Sequence, residues 1–214
     1  MSTVIFDLDG TITDPAEGIT RSINYALVQL GFEPHPEEEL QKYIGPHLNT
    51  TFSELMGAAK EDRLLRAIEL YLERYSTTGY RENRLYDGMR EVLYQLSSKG
   101  STLCIATSKR RDLAVSVLEF LDLGAFFAQV HGCGLYRSKS DLLRDILSDD
   151  TLTASPMVMI GDRDTDFLSA AAVGMPSIGV RWGYGTEDEL ALATDVVTSP
   201  SELPEAIERN AKPM

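Results

Sequence analysis

Val4-Ile5-Phe6 runs straight into two carboxylates, Asp7 and Asp9, and then into Gly10-Thr11. An apolar run closed by such a turn reads as a buried strand. On an extended backbone, residues i and i+2 point to the same side. Asp7 and Asp9 are therefore expected to face one pocket at the strand's end. Two neighbouring carboxyls suit divided labour, in which one stays ionised and the other carries a proton part of the time. Taken alone, the stretch also reads as a strand followed by an acidic turn, since Asp and Gly are ordinary turn residues.

Two further apolar runs end in polar groups. Thr102 to Ala106 stops at Thr107-Ser108-Lys109, and Met157 to Ile160 stops at Gly161-Asp162, followed by Arg163-Asp164-Thr165-Asp166. The acids from Asp162 to Asp166 read either as caps of a following helix or as part of a Mg2+ site. Mg2+ takes oxygen ligands, one or two of them carboxylates, and keeps several waters. Asp7 and Asp162 are the expected carboxylates, because so many acids around an anionic substrate would otherwise repel it. Thr107 and Ser108 read as helix caps or as hydroxyls for a phosphate beside a helix N-terminus. Lys139, in Arg137-Ser138-Lys139-Ser140-Asp141, reads locally as a surface lysine before a helix.

The elements that must position these groups fall into two sets. From Pro15 to about Arg84 the apolar spacing is helical throughout. Asp14 reads as an N-cap with Pro15 at the first helical position. Ile19, Ile23, Ala26, Leu27 and Leu30 form one stripe, which Gly31 can end. A short helix is expected over 37–43, and others near 48–56 and 64–75. From Asp87 onward, helices alternate with strands near 102–106, 129–131, 157–160, 177–180 and 195–197. That alternation argues for a parallel, doubly wound sheet. Ligands of such sheets bind beyond the carboxyl ends of the strands, where Asp7, Asp9, Thr107, Ser108 and Asp162 all fall.

The 214 residues are enough for one domain with an insertion, and a hydrophobic content of 43% with 25% charged residues is that of a globular protein. The formal net charge of −13 argues against nucleic acid polymers and anionic membranes as partners. A small anionic substrate requires cations supplied locally. Glu37-Glu38-Glu39 reads as a solvated helix start. No apolar run has the length of a membrane span, and the first residues read as a strand rather than a leader, so a cytoplasmic location is expected. Cys104 reads as a small core residue, and Cys133 in Gly132-Cys133-Gly134 as a free loop thiol without a ligand cluster. Gly183-Tyr184-Gly185 follows a late strand and lacks a third glycine, so it is no dinucleotide fingerprint.

Asp7-Leu8-Asp9-Gly10-Thr11, Thr107-Ser108, Lys139 and Gly161-Asp162 to Asp166, in that order, resemble the four motifs of the haloacid dehalogenase-like phosphatases. Asp14 to Ile19 and Pro176 to Val180 resemble the phosphoglycolate phosphatase branch, whose members include 5′-nucleotidases. The resemblance implies an α/β fold with a Rossmann-like core at residues 1–14 and 85–214 and a small all-helical cap at 15–84. It implies Asp7 as nucleophile and Asp9 as general acid/base. Mg2+ would be held by Asp7, the Asp9 carbonyl and Asp162. Gly10, Thr107 or Ser108, and Lys139 would bind the phosphoryl group, with Asp166 supporting the metal or orienting Lys139. Two departures stand out: Lys139 lacks the Lys-Pro step common in the family, and Pro15 replaces a more usual Ser.

The activity so implied is Mg2+-dependent hydrolysis of a small phosphorylated metabolite through an aspartyl phosphate. A phosphosugar mutase on the same scaffold and a non-catalytic phosphate-ester-binding regulator are the alternatives. Among the cap residues Arg21, Lys42, Tyr43, His47 and Asn49, each of which also reads as ordinary surface, His47 beside Gly45-Pro46 is the expected substrate contact. His35 reads as loop and His131 as a strand end.

Overall fold

The computed structural model describes residues 2–57, 60–133, 137–153 and 156–211; Gly134, named above beside Cys133, lies outside them. In chain order the elements are β1 (Thr3–Phe6), β2 (Thr13–Asp14), α1 (Ala16–Gln29), α2 (Glu37–Leu40), α3 (Leu48–Met56), α4 (Glu61–Thr77), β3 (Arg84–Leu85), α5 (Met89–Ser98) and β4 (Thr102–Thr107). Then follow α6 (Arg111–Phe120), β5 (Phe127–Gly132), α7 (Lys139–Leu147), α8 (Asp150–Thr153), β6 (Met157–Gly161), α9 (Asp164–Ala172), β7 (Ser177–Val180), α10 (Glu187–Leu190), β8 (Asp195–Val197) and α11 (Leu203–Asn210).

Six strands form one parallel sheet in the order β5-β4-β1-β6-β7-β8. The central strands β1 and β6 are buried and apolar on both faces because helices cover both. Val4 and Phe6 pack with Val92, Leu93, Val117 and Ile207 of α5, α6 and α11 on one side. Ile5, between them, packs with Leu142, Leu143, Ile146 and Ala170 of α7 and α9 on the other. The chain runs outward from β1 in both directions, first to β4 and β5 and later to β6, β7 and β8. The strand order therefore reverses at β1, and a crevice must open there beyond the carboxyl ends. Asp7, Thr107 and Asp162 stand at the ends of β1, β4 and β6.

The segment between β2 and β3 is helical and has its own apolar cluster, with Ile23, Leu27, Phe52, Ile68 and Tyr71 at its centre. It is entered and left through a two-stranded antiparallel ribbon that pairs Thr13 with Leu85 and Asp14 with Arg84. Sequence patterning does not announce this ribbon, because two residues carry no periodicity. The start of α1 also differs from expectation. Pro15, at φ −94° and ψ 6°, occupies the N-cap position, and Asp14 Oδ1 accepts a bond from Ala16 N (3.0 Å) one step earlier in the chain. Strand β5 is longer than the Gln129–His131 core expected for it, and Cys133, just beyond it, is a free thiol and is buried.

Candidate active site

The loop after β1 is folded so that Gly10 backs onto Asp162. Gly10 has φ +85°, and a Cβ there would lie 2.3 Å from Asp162 Oδ2, so only glycine fits. Gly183 closes the other side: its Cβ would stand 2.4 Å from Asp162 Cβ and 2.5 Å from the Gly10 carbonyl. Between them the Asp162 carboxylate accepts bonds from Thr11 Oγ1 (3.3 Å) and from Tyr184 N–H (2.8 Å). Burial, then Asp166 and Asp7, push the Asp162 carboxyl well above the usual carboxylate range. Asp162 is therefore not spent on capping α9. That task falls to Asp166, whose Oδ2 accepts from Asp162 N (3.1 Å) and Arg163 N (3.0 Å).

Lys139, the first residue of α7, is buried. Its ammonium donates to Asp166 Oδ1 and lies 3.0 Å from Asp7 Oδ1. Burial opposes its charge, but Asp166 and Asp7 more than offset this and hold it protonated. Burial likewise raises the Asp166 carboxyl against the pull of Lys139. With one ammonium and two backbone N–H groups donating to it, Asp166 is already engaged as an acceptor on both oxygens. The structure brings Asp7, Lys139, Asp162 and Asp166 together, although their places in the sequence are far apart.

Among the described residues, Asp7, Asp162 and Asp166 each offer an oxygen within 4.8 Å of the others. Asp7 Oδ1 is buried and, beyond its ion pair with Lys139, has no hydrogen bond of good geometry. A buried carboxylate oxygen left in that state is costly. An all-oxygen donor set with a surplus of negative charge fits a hard divalent cation such as Mg2+. Asp7 and Asp162 are the better carboxylate ligands, since Asp166 is committed to Lys139 and the backbone.

Asp9 faces the same cavity but takes a different cation as its partner. Its Oδ1 accepts a bond from Lys109 Nζ (2.5 Å), and the same ammonium donates to Tyr75 Oη of α4 (2.7 Å). Burial raises the Asp9 carboxyl, with Lys109 drawing it back in part. A raised carboxyl pKa is what a proton donor needs. Lys109 and Tyr75 were not singled out from sequence. Lys109 shares a strand end with Thr107 and Ser108, which was the available signal. Tyr75 lies on an apolar helical stripe and carried none.

One cavity joins the two sets of groups. Asp7, Asp9, Thr107, Ser108 and Lys109 line its sheet side, and Ile19, Tyr43, Pro46, His47, Tyr71 and Leu72 line its helical side. Thr107 and Ser108 do not cap α6, which starts three residues later with Arg110 in the N-cap position. Of the helical-segment candidates, Tyr43 and His47 reach the cavity. Arg21 is instead bound to Glu17, Glu37 and Glu82 on the surface, Lys42 lies over the Tyr43 ring, and Asn49 is exposed. Arg163, beside Asp162, donates to the Ile44 carbonyl (2.6 Å) and pairs with Glu189 (2.8 Å), so it ties the loop after β6 to the helical segment.

The family model for haloacid dehalogenase-like hydrolases matches residues 4–180. A 5′-nucleotidase of Pseudomonas aeruginosa is 40% identical over 190 residues, spanning 87% of this chain and 86% of that one. A phosphoglycolate phosphatase of Agrobacterium fabrum is 33% identical over 90% of this chain and 86% of its own. A Mycobacterium tuberculosis protein named tyrosine-protein kinase PtkA is 36% identical over 94% of this chain and 70% of its own. Among solved structures, a predicted phosphatase from Clostridium acetobutylicum superposes with a TM-score of 0.90 at 34% identity, covering 97% of this chain and 98% of that one. The chain therefore belongs to the haloacid dehalogenase-like hydrolases and is an enzyme of their phosphatase branch.

Proposed function

We propose that this enzyme is a Mg2+-dependent phosphomonoester hydrolase that works through an aspartyl phosphate on Asp7, with residues 15–84 serving as a cap over the site. The observation that carries this reading is the meeting of Asp7, Asp162, Asp166 and Lys139 at the ends of β1 and β6 and the start of α7. Held by Asp7 and Asp162, with the Asp9 carbonyl, Mg2+ would supply positive charge to the phosphoryl oxygens.

The chain's own groups do the rest. A carboxylate needs no base to act as a nucleophile, so an Asp7 oxygen attacks phosphorus while the bond to the ester oxygen breaks. Asp9 gives its proton to that departing oxygen, then takes one from the water that cleaves the acyl phosphate. Lys139, protonated and aimed by Asp166, offsets the charge that builds on the phosphoryl group. Thr107 and Ser108 line the cavity in which that group would lie, and Gly10 backs the Asp162 carboxylate beside it. His47 and Tyr43 face the leaving group from the cap. The substrate is a small phosphorylated metabolite, with phosphoglycolate and nucleoside 5′-monophosphates the two candidates suggested by the relatives' names.

The test is phosphate release from a panel containing both candidates, with Mg2+ and with a chelator. Release that needs Mg2+ and is lost in Asp7→Asn is expected, together with a hydroxylamine-labile phosphoenzyme in the wild type. Full turnover in Asp7→Asn would falsify the assignment of the nucleophile.

A further inference from the structure

Two routes lead from the sheet into the helical segment, and a single chain of polar contacts joins both of them to Asp9. Lys109 Nζ bridges Asp9 Oδ1 (2.5 Å) and Tyr75 Oη (2.7 Å). Tyr75 Oη also accepts from Asn83 Nδ2 (3.0 Å), just before β3. Asn83 Oδ1 in turn accepts from Thr13 Oγ1 (3.3 Å) in β2. Thr13 closes the ring, since it forms an isolated backbone bridge with Asp9 itself. The Lys109 and Asp9 side chains are only 6% and 10% exposed, and Tyr75 is fully buried. An ordinary surface ion pair adds little, but this one is enclosed, and it fixes the orientation of one particular carboxyl.

The geometry points to Lys109 as a positioning residue: with Tyr75 it holds the Asp9 carboxyl toward the leaving group and makes that orientation depend on the seating of α4 and the β2–β3 ribbon. This rests on the proposed roles of Asp7 and Asp9 and adds a residue that acts through one of them. Asp9 sits on a loop of small residues, and nothing else among its described side-chain contacts holds its carboxyl. A carboxyl that must meet a leaving oxygen needs its geometry held within a fraction of an ångström. When α4 is seated, Tyr75 places Lys109, and Lys109 places Asp9.

The step concerned is the breaking of the ester P–O bond, in which the proton on Asp9 passes to the leaving oxygen. An alkyl ester needs that proton, whereas p-nitrophenyl phosphate departs as a stable phenolate without it. kcat/KM reports the steps up to loss of the alcohol, so it isolates this half of the reaction from hydrolysis of the acyl phosphate. The experiment compares kcat/KM for glycerol phosphate and p-nitrophenyl phosphate, with Mg2+, in wild type, Asp9→Asn, Lys109→Met, Tyr75→Phe and the Asp9→Asn/Lys109→Met double variant.

In Asp9→Asn, the alkyl ester should lose about 10²-fold or more, the scale of one acid-base group, and the aryl ester far less. Lys109→Met should show the same bias toward the alkyl ester, and the double variant should be no worse than Asp9→Asn alone. Tyr75→Phe should show a weaker bias of the same sign. It should fold normally, because its ring keeps its stack on Tyr71 (5.5 Å between centroids) and Asn83 Nδ2 keeps the Gly79 and Tyr80 carbonyls. Equal losses on both esters in Lys109→Met and Tyr75→Phe, or losses additive with Asp9→Asn, overturn the proposal and make Lys109 a direct substrate or fold contact. An Asp9→Asn enzyme with no bias removes the acid role of Asp9 and the proposal with it. A biased Asp9→Asn beside unbiased Lys109→Met and Tyr75→Phe variants overturns the proposal alone.

Discussion

The two halves of the site, which meet at the cavity lined by Asp7 and Asp9, are built on different plans. At the phosphoryl end, Asp7, Lys139 and Asp166 are 4%, 3% and 0% exposed, and each is carried by a strand end or the first residues of a helix. Asp162 beside them is wedged between glycines that admit no side chain. At the leaving-group end, the groups come from separate layers: Asp9 and Lys109 from the sheet, and Tyr43, His47 and Tyr71 from the helical segment. Sites on regular elements are held more tightly than sites on loops. On the proposed mechanism, this contrast assigns the chemical step to the sheet and the choice of leaving group to the helical segment. Among the described residues, Arg163 and Lys109 are core cations that reach across, to the Ile44 carbonyl and to Tyr75.

The largest expected effects lie at the phosphoryl end. Asp7→Asn should lower kcat/KM for every phosphomonoester, on the order of 10⁴-fold or more, since it removes the proposed nucleophile. A loss confined to one class of ester would break the comparison at its base. Asp166→Asn should cost about 10- to 100-fold in activity or Mg2+ affinity, because it releases both Lys139 and the loop before α9; a Mg2+ titration of activity reads this. Gly183→Ala forces a Cβ against Asp162 and the Gly10 carbonyl. It should destabilise the fold by about 1–3 kcal/mol, as overpacking does, and weaken Mg2+ binding in the same preparation; thermal unfolding with and without Mg2+ reads both.

The smallest effect belongs to the leaving-group end. His47→Ala should change KM and substrate ranking within about 10- to 200-fold, the range of a single pocket contact, while p-nitrophenyl phosphate turnover stays within a fewfold of wild type. A uniform loss of kcat on all substrates would place His47 with the chemistry and erase the distinction between the two ends.

The strand-end acids were legible because Asp7 and Asp9 follow an apolar run at a spacing of two, and Asp162 closes another. Alternation along the chain also gave the parallel sheet, and helical spacing gave the segment between β2 and β3. Lys139 was not legible from its neighbours. Ser-Lys-Ser-Asp looks like any exposed helix start, and only the resemblance to a family drew attention to it. Its burial follows from where α7 docks, beside Asp7 and Asp166. Gly183-Tyr184-Gly185 offers no chemistry that its own residue types announce. Its structural part, shaping the hollow for Asp162, depends on contacts with Asp162 and the Gly10 carbonyl that no local pattern encodes.

What the residues alone determined was which groups stand at the carboxyl ends of which strands. That information is local: side-chain alternation, caps and turn residues act over a few positions. What only the tertiary structure decided was their pairing: Lys139 with Asp166, Asp162 with Thr11, and Lys109 with both Asp9 and Tyr75. Such pairings are set by strand order and helix docking. Burial then forces each polar group to find a partner among whatever the packing has brought within reach.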